Sequence, residues 1–239
     1  MTLASEAKGG GVEAQPQPRF GTDQAPLFTG GYGPSGLTYH GITRSYSGLT
    51  LALCGSYQAD NSALALAAVE LLGDRAAKVS AEGVRVALAA VRWPGRLELL
   101  ADCRWQGKAR AVLLDGAHNP AGVESLLAAL SKDFRFEKLI MVWASMGDKD
   151  FQSCVRRVEP LCHRLIFTRP ESARSATPTQ LRLALTGLAG EKCLSAPTVP
   201  EALTLAYDLA GPQDLICVAG SLYLVGKARS ILVGDLVDD

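Results

Sequence analysis

One polar cluster in this sequence directly follows a predicted buried strand. The apolar run Ala109–Leu114 is typical of a strand covered on both faces, and Asp115 comes next. Asn119 suits a helix N-cap and Pro120 the first helical turn. In open α/β sheets, ligands bind beyond the carboxyl ends of strands. Asp115 could therefore hold two ribose hydroxyls with His118 nearby, although a capped loop with an incidental Asp and His fits the same spacing.

The segments around this cluster alternate between strand and helix patterns. The predicted strands are Ala109–Leu114, Leu139–Trp143, Leu165–Thr168 and Leu215–Val218, with a short one near Lys192–Leu194. The predicted helices are Ala121–Leu130, Phe151–Leu161, Pro178–Leu188, Pro200–Leu209 and Ser221–Leu232. Such alternation predicts an α/β fold with a Rossmann-like, mostly parallel sheet wrapped by helices.

A different pattern precedes residue 95. We predict short strands at Leu37–Tyr39, Ile42–Tyr46 and Leu49–Leu53, a helix from Asn61 to Leu72 capped by Asp60, and a helix at Ala81–Ala90. Trp93-Pro94-Gly95 is a predicted boundary, since the residue before a proline is biased away from helix. The expected organisation is a flexible lead-in at 1–26, one domain at 27–94 and another at 95–239.

Composition excludes several classes of function. The chain has 24 basic and 24 acidic residues, so its formal net charge is zero, and no basic field would collect nucleic acid or an anionic membrane. No apolar run reaches the roughly 18 residues of a membrane span, and the start lacks a secretory signal pattern. The six cysteines are scattered, which favours reduced thiols. We expect a cytoplasmic protein.

Several motifs together resemble a known family. DGAHNPAG begins at Asp115 and WPGRLE at Trp93, while G-x-x-Q-x-x-N fits Gly55 to Asn61. D-K-D occurs at 148–150, and AGSLYLVG, at 219–226, is similar to a T-G-S-x-Y run. In this order the motifs resemble the folylpolyglutamate synthase/dihydrofolate synthase family of the Mur ligase superfamily.

This resemblance implies an ATP-dependent amide ligase. A carboxylate of dihydropteroate or a folate would be phosphorylated by MgATP, and the amine of L-glutamate would attack the acyl phosphate. By motif, Asn61 and Arg96 would contact the nucleotide, Asp115 would hold the ribose, His118 would lie at the nucleotide, and Ser221 would approach the adenosine side. The implied fold is a Mur ligase C-terminal domain preceded by a remnant of the central ATPase domain.

Each of these residues also has a purely structural interpretation. Asn61 fits the first turn of a helix, and Arg96 could pair with Glu98. The acids of the D-K-D segment favour a helix N-terminus. Ser221 after a glycine is an ordinary N-cap. These alternatives stay open at the level of the sequence.

The sequence departs from the family at the phosphate site. No G-x-x-x-x-G-K-S/T segment is present, and the nearest match, Gly220–Ala228, is one residue too long. Gly31–Gly36 satisfies G-x-G-x-x-G but fits a hairpin turn better. No histidines have zinc-ligand spacing. We therefore expect the family's C-terminal half, with no catalytic residue, magnesium ligand or ligase activity of its own.

The missing N-terminal half is then an expected partner. Two other hypotheses remain. One is a non-catalytic nucleotide-binding or regulatory module that keeps the adenosine-side residues. The other is a fragment of a cell-wall amino acid ligase of the Mur type, which the DGAHNP segment disfavours.

Overall fold

The computed structural model of the chain describes residues 36–73, 79–170, 174–185 and 192–234. These residues form a six-stranded sheet flanked by helices and, before it, a two-stranded sheet with two helices. The predicted α/β class with a mostly parallel sheet is confirmed. The lead-in at 1–26, most of the Gly31–Gly36 motif and the end of the helix predicted to reach Leu188 lie outside the described residues.

The large sheet contains every predicted strand after residue 95. Its strands are β3 (Glu98–Trp105), β4 (Lys108–Leu114), β5 (Leu139–Trp143), β6 (Arg164–Phe167), β7 (Cys193–Ser195) and β8 (Leu215–Ala219). They lie in the order β3-β4-β8-β5-β6-β7, and only the β3–β4 pair is antiparallel. The chain leaves β4, passes over β8 to β5, and later returns to β8. The carboxyl ends of β4, β8 and β5 therefore meet where the strand order reverses, which is the usual ligand-binding edge.

Helices cover both faces of this sheet. Within the described ranges after residue 95, the α-helices are α3 (Pro120–Lys132), α4 (Phe151–Val158), α5 (Pro178–Leu183), α6 (Val199–Leu209) and α7 (Leu222–Val233). One apolar cluster joins the sheet to α3, α4 and α5, and another joins it to α6 and α7. Because successive strand residues point to opposite faces, Leu113 belongs to the first cluster and Leu114 to the second. This explains why the strands read as continuous apolar runs.

The antiparallel strand β3 was absent from the sequence prediction. It joins β4 through Gln106 and Gly107, whose φ angles are 48° and 78°. Positive φ at both central residues is typical of a type I′ hairpin turn. The mixed polarity of β3 follows from its position at the edge of the sheet, where the side chains of Asp102 and Arg104 are exposed.

Before residue 95, the chain forms fewer strands than predicted within the described ranges. It contains β1 (Leu37–His40), β2 (Ser45–Leu49), α1 (Gln58–Leu71) and α2 (Ala81–Ala90). The prediction of a strand at Leu49–Leu53 was wrong beyond Leu49, because the chain turns there to hydrogen bond with α2, Ala52 N–H donating to the Leu88 carbonyl.

The strand predicted at Ile42–Tyr46 was wrong in its first half. Residues 41–44 form the turn between β1 and β2, and the Glu70 carboxylate on α1 accepts hydrogen bonds from the backbone N–H groups of Ile42, Thr43 and Arg44 at 2.7, 3.1 and 3.2 Å. The turn is therefore fixed by a side chain 26 or more residues away, which periodicity along the strand does not show.

The start of α1 also differs from the prediction. The helix begins at Gln58 with Tyr57 as its N-cap, so Asp60 lies in the first turn and does not cap it. The downstream N-caps agree better with the sequence. Asn119 accepts from Gly122 N–H at the start of α3, followed by Pro120 in the first turn.

Candidate functional site

Asp115 lies at the carboxyl end of β4, at the edge where the strand order reverses. Its side chain is buried, and its two oxygens accept from different backbone amides, Oδ2 from Leu97 N–H and Oδ1 from Ala117 N–H, each at 2.9 Å. Burial raises the pKa of Asp115, against the opposing effect of these two hydrogen bonds and of the positive charge on Arg96. The carboxylate thus ties the loop before β3 to the loop after β4 and keeps lone pairs for further donors.

The loop before β3 is held tightly against this carboxylate. Gly95 has a φ of 72°; its carbonyl accepts from Gly116 N–H at 2.8 Å and its own N–H donates to Glu98 at 2.8 Å. Leu97 has a φ of 44° although it is not glycine, and its side chain is 1% exposed. Left-handed backbone at such a residue costs about 1–2 kcal/mol. Burial of the Leu97 side chain and the bond to Asp115 offset that cost.

Arg96 projects from this loop to the surface. Its guanidinium carbon lies 5.3 Å from the centre of the Tyr57 ring and 6.0 Å from that of Trp93. The proposed pairing of Arg96 with Glu98 is wrong, because Glu98 binds Arg229, whose Nε is 3.0 Å from both carboxylate oxygens. Burial, followed by the negative charge of Asp115, raises the pKa of Tyr57 to about 12, so Tyr57 is a neutral ring at physiological pH.

Asn61 lies one turn along α1 from Tyr57. Its side chain is exposed, and its Nδ2 donates to Gln58 Oε1 at 2.7 Å. Gln58 is 3% exposed, and its Nε2 has no hydrogen-bond partner among the described residues. Asn61 N–H donates to the Tyr57 carbonyl at 3.3 Å, and the Tyr57 ring contacts Arg96. Its role at a nucleotide stays a prediction.

His118 and Ser221 flank the Asp115 loop in different ways. The half-buried His118 places Nδ1 2.8 Å from the Gly116 carbonyl, so Nδ1 carries the proton of that hydrogen bond. Ser221 is 1% exposed and caps α7, its hydroxyl accepting from Tyr223 N–H at 3.2 Å. The capping interpretation of Ser221 is therefore confirmed, while a contact between either residue and a nucleotide stays a prediction.

The glycine before Ser221 brings two of these loops together. Gly220 has a φ of 99°, and its N–H donates to the Ala117 carbonyl at 2.8 Å. A Cβ at Gly220 would collide with the ring of Trp143, the last residue of β5, and with the carbonyl of Ala144, which follows it. The loops after β4, β5 and β8 therefore converge at one point.

The D-K-D segment follows β5 at the same edge of the sheet. Asp150 is the N-cap of α4 and accepts from Ser153 N–H at 3.1 Å, which confirms its capping role. Lys149 and Asp148 are exposed and 3.8 Å apart. Lys149 supplies a cation at this edge.

Residue spacing missed two contributors to the site. Tyr57 and Gln58 belong to the G-x-x-Q-x-x-N segment, but their burial and contacts depend on how that segment packs on the loop before β3. A Cβ at Gly55 would lie 2.6 Å from Leu97 Cδ1, so only glycine allows this close approach. In the sequence, Gly55 was the feature that could have indicated this close contact with Leu97.

The described residues show no metal centre and no membrane span. No group of three or more His, Cys, Asp or Glu side chains within the described ranges is placed to hold a metal ion. No helix in the same part of the chain is long and apolar enough to cross a bilayer.

Comparisons with known proteins agree with this architecture. Residues 95–222 match the family model described as Mur ligase, glutamate ligase domain. Dihydrofolate synthase/folylpolyglutamate synthase from Mycobacterium tuberculosis is 32% identical over 83% of this chain and 43% of its own length. The Bacillus subtilis protein of the same name is 28% identical over 79% of this chain and 42% of its own.

A solved structure gives the same result in three dimensions. Folylpolyglutamate synthase from M. tuberculosis, solved in complex with ADP and AMPPCP, superimposes with a TM-score of 0.71 at 32% identity, over 83% of this chain and 45% of that one. The chain spans less than half the length of these relatives. Because the family model covers more than half of the chain, the protein belongs to the Mur ligase family, and its six-stranded domain is a glutamate ligase domain.

Proposed function

We propose that this chain is the C-terminal part of an ATP-dependent folate–glutamate ligase of the dihydrofolate synthase/folylpolyglutamate synthase type. The activity would join L-glutamate to a carboxylate of dihydropteroate or a folate. ATP would convert that carboxylate to an acyl phosphate, because phosphate is a far better leaving group than a carboxylate oxygen. Positioning and neutralisation of charge would supply most of the rate enhancement.

The arrangement of Asp115 and Arg96 carries this proposal. A carboxylate at the end of β4 and a guanidinium on the adjoining loop lie together where the strand order reverses. In this proposal the free lone pairs of Asp115 accept the ribose hydroxyls, and the exposed Arg96 neutralises phosphate charge. Asn61, His118 and Ser221 would complete the adenosine side.

The described residues do not offer a site for magnesium. MgATP is the expected form of the nucleotide, but the described ranges offer no cluster of acidic or histidine side chains for a metal. The absence of a phosphate loop from the sequence supports the prediction that the chain alone forms no ADP from ATP, folate and glutamate.

Arg96→Ala tests the nucleotide site more cleanly than substitution of Asp115. Asp115 holds two buried amides, so its loss would disturb the fold, whereas Arg96 is exposed. In an NMR titration with ADP extended to millimolar concentration, we expect Arg96→Ala to weaken binding at least about fivefold, the scale of one charge-assisted contact. Arg104→Ala, an exposed arginine on β3, is the matched control and should bind as the unmodified chain does. Equal affinity of all three proteins, or no binding by the unmodified chain, would contradict the proposal.

The proposed enzyme also needs the part of the ligase that these relatives have and this chain does not match. Helix α1 is apolar on two sides. Ala63, Leu66 and Ala67 face the small core, while Leu64 and Leu71, at i and i+7, are 64% and 75% exposed. Exposed apolar side chains on one side of a helix indicate an interaction surface. We propose that the second face of α1 packs against that remaining part of the ligase.

The corresponding N-terminal portion of the M. tuberculosis enzyme is a suitable probe. We expect it to form a one-to-one complex with this chain in size-exclusion chromatography with light scattering. Leu64→Glu with Leu71→Glu should abolish the complex, whereas Leu209→Glu on α6 should not. Failure to form the complex, or a homodimer that the α1 substitutions dissolve, would contradict this assignment of the face.

A further inference from the structure

Arg96 is held by aromatic rings from two separate parts of the chain. Tyr57 is the N-cap of α1, and Trp93 lies on the loop before β3. The guanidinium carbon is 5.3 Å from one ring centre and 6.0 Å from the other. Both distances are within the range of cation–π attraction. In the described part of the chain, no carboxylate forms an ion pair with Arg96 within 4.0 Å.

Packing restricts the Tyr57 ring, and a backbone hydrogen bond closes the loop that carries Trp93. A Cβ at Gly55 would lie 2.9 Å from Tyr57 Cε1 and 2.6 Å from Leu97 Cδ1, so the half-buried Tyr57 ring occupies the space that Gly55 leaves open. Trp93 is 64% exposed, but its carbonyl accepts from Arg96 N–H at 3.2 Å, which closes the loop between them. A long arginine on a surface loop would otherwise sample many rotamers.

We infer that Tyr57 and Trp93 are positioning residues that hold the Arg96 guanidinium beside Asp115 for the phosphates of a nucleoside diphosphate or triphosphate. The inference rests on the proposed function. Cation–π contact with the rings occupies few of the guanidinium N–H donors. One donor is directed at the Tyr57 hydroxyl, and the others can match phosphate oxygens in pairs. A carboxylate partner would occupy the same donors, so aromatic support suits an arginine that must stay available.

Conservative and non-conservative variants separate this role from simple packing. Tyr57→Leu and Trp93→Leu remove the π face, whereas Tyr57→Phe and Trp93→Phe keep it. We expect each leucine variant to weaken ADP binding about two- to fivefold, which is the scale of an exposed cation–π contact. Trp93→Phe should retain most of the affinity, and Tyr57→Phe, which loses the hydroxyl that hydrogen bonds with Arg96 but keeps the ring, should lose less than Tyr57→Leu. In an Arg96→Ala background, neither leucine substitution should weaken binding further.

A measurement without nucleotide separates the positioning of Arg96 from nucleotide binding. In the free chain, ring currents should shift the Arg96 Nε–Hε NMR signal from the position typical of a solvated arginine, and Tyr57→Leu should return it toward that position. A shifted signal without ADP binding would contradict the proposed function. It would also overturn the inference, because the inference assigns the positioned Arg96 to nucleotide phosphates. An unshifted signal with normal ADP binding, or losses that persist in the Arg96→Ala background, would overturn the inference alone.

Discussion

The two regions of this molecule bury their apolar residues to very different extents. The six-stranded domain has one apolar cluster on each face of its sheet, and both are continuous across several helices. The region before residue 95 has one small cluster, built from β1, β2, α1 and α2, while Ile42, Leu64, Leu71 and Val86 stay exposed. A two-stranded sheet with so small a core is marginal by itself. We therefore expect the six-stranded domain to be the more stable of the two regions in the isolated chain.

The largest expected effect is on the free energy of unfolding, when matched leucines in the cores of the two regions are replaced by alanine. Leu126 on α3 is 1% exposed and Leu66 on α1 is 6% exposed, whereas Leu64 is 64% exposed. We expect Leu126→Ala to lower the free energy of unfolding by about 3–5 kcal/mol and Leu66→Ala by about 2 kcal/mol, because a thin core relaxes more readily around a cavity. Leu64→Ala should change it by no more than about 0.5 kcal/mol.

Chemical denaturation monitored by far-UV circular dichroism measures these three changes. A loss for Leu66→Ala as large as that for Leu126→Ala would mean that the two cores are equally well packed. A large loss for Leu64→Ala would show that the second face of α1 is already covered in the isolated chain. Either result would break the contrast between the regions.

A smaller expected effect concerns one carboxyl group in each region, because the pKa values of Asp115 and Glu70 are shifted in opposite directions. Burial raises the pKa of Asp115. For Glu70, partial desolvation acts to raise the pKa, but hydrogen bonds from Thr43, Ile42 and Arg44 lower it overall. In an NMR pH titration, the amide signals of Leu97 and Ala117 should therefore report a midpoint above the ordinary value of an aspartate. Those of the β1–β2 turn should report a midpoint below the ordinary value of a glutamate.

The two shifts predict opposite effects on stability. Between its ordinary pKa and its raised value in the folded state, Asp115 binds more protons when folded, so its contribution to stability falls as pH rises. Glu70 binds fewer protons when folded, so its contribution is present above its ordinary pKa and is lost as pH falls through the lowered one. Asp115→Asn should remove the first slope and Glu70→Gln the second, with Asp102→Asn as an exposed control. Two midpoints at ordinary values would refute both assignments.

Much of the sheet domain could be predicted because its signals are local. Continuous apolar runs identified β4, β5, β6 and β8, and Asn119 with Pro120 marked the start of α3. The strand β3 was missed because an edge strand has no such run, and because Gln106–Gly107 is not one of the residue pairs that typically indicate a type I′ turn. Before residue 95, Glu70 fixes the turn between β1 and β2 from a distance, so periodicity along the segment misplaced those strands.

The candidate site was predicted in part. Residue types and spacing placed Asp115, Asn119 and Pro120 at the end of a strand and the start of a helix, and the structure agrees. The surroundings of Arg96 could not be predicted, because Tyr57 approaches it only after α1 packs on the loop before β3. The spacing also did not show that both oxygens of Asp115 already bind backbone amides, which changes how its substitution must be interpreted.

The left-handed backbone at Leu97 has a consequence for ligand recognition. A glycine there would relax the main chain but would empty the space against Gly55 that the leucine fills. The leucine therefore costs some backbone strain, but its packed side chain fixes the conformation of the loop in the absence of a ligand. A preorganised loop loses less conformational entropy on association, so we propose that the Asp115 edge would bind a nucleotide without changing its backbone shape.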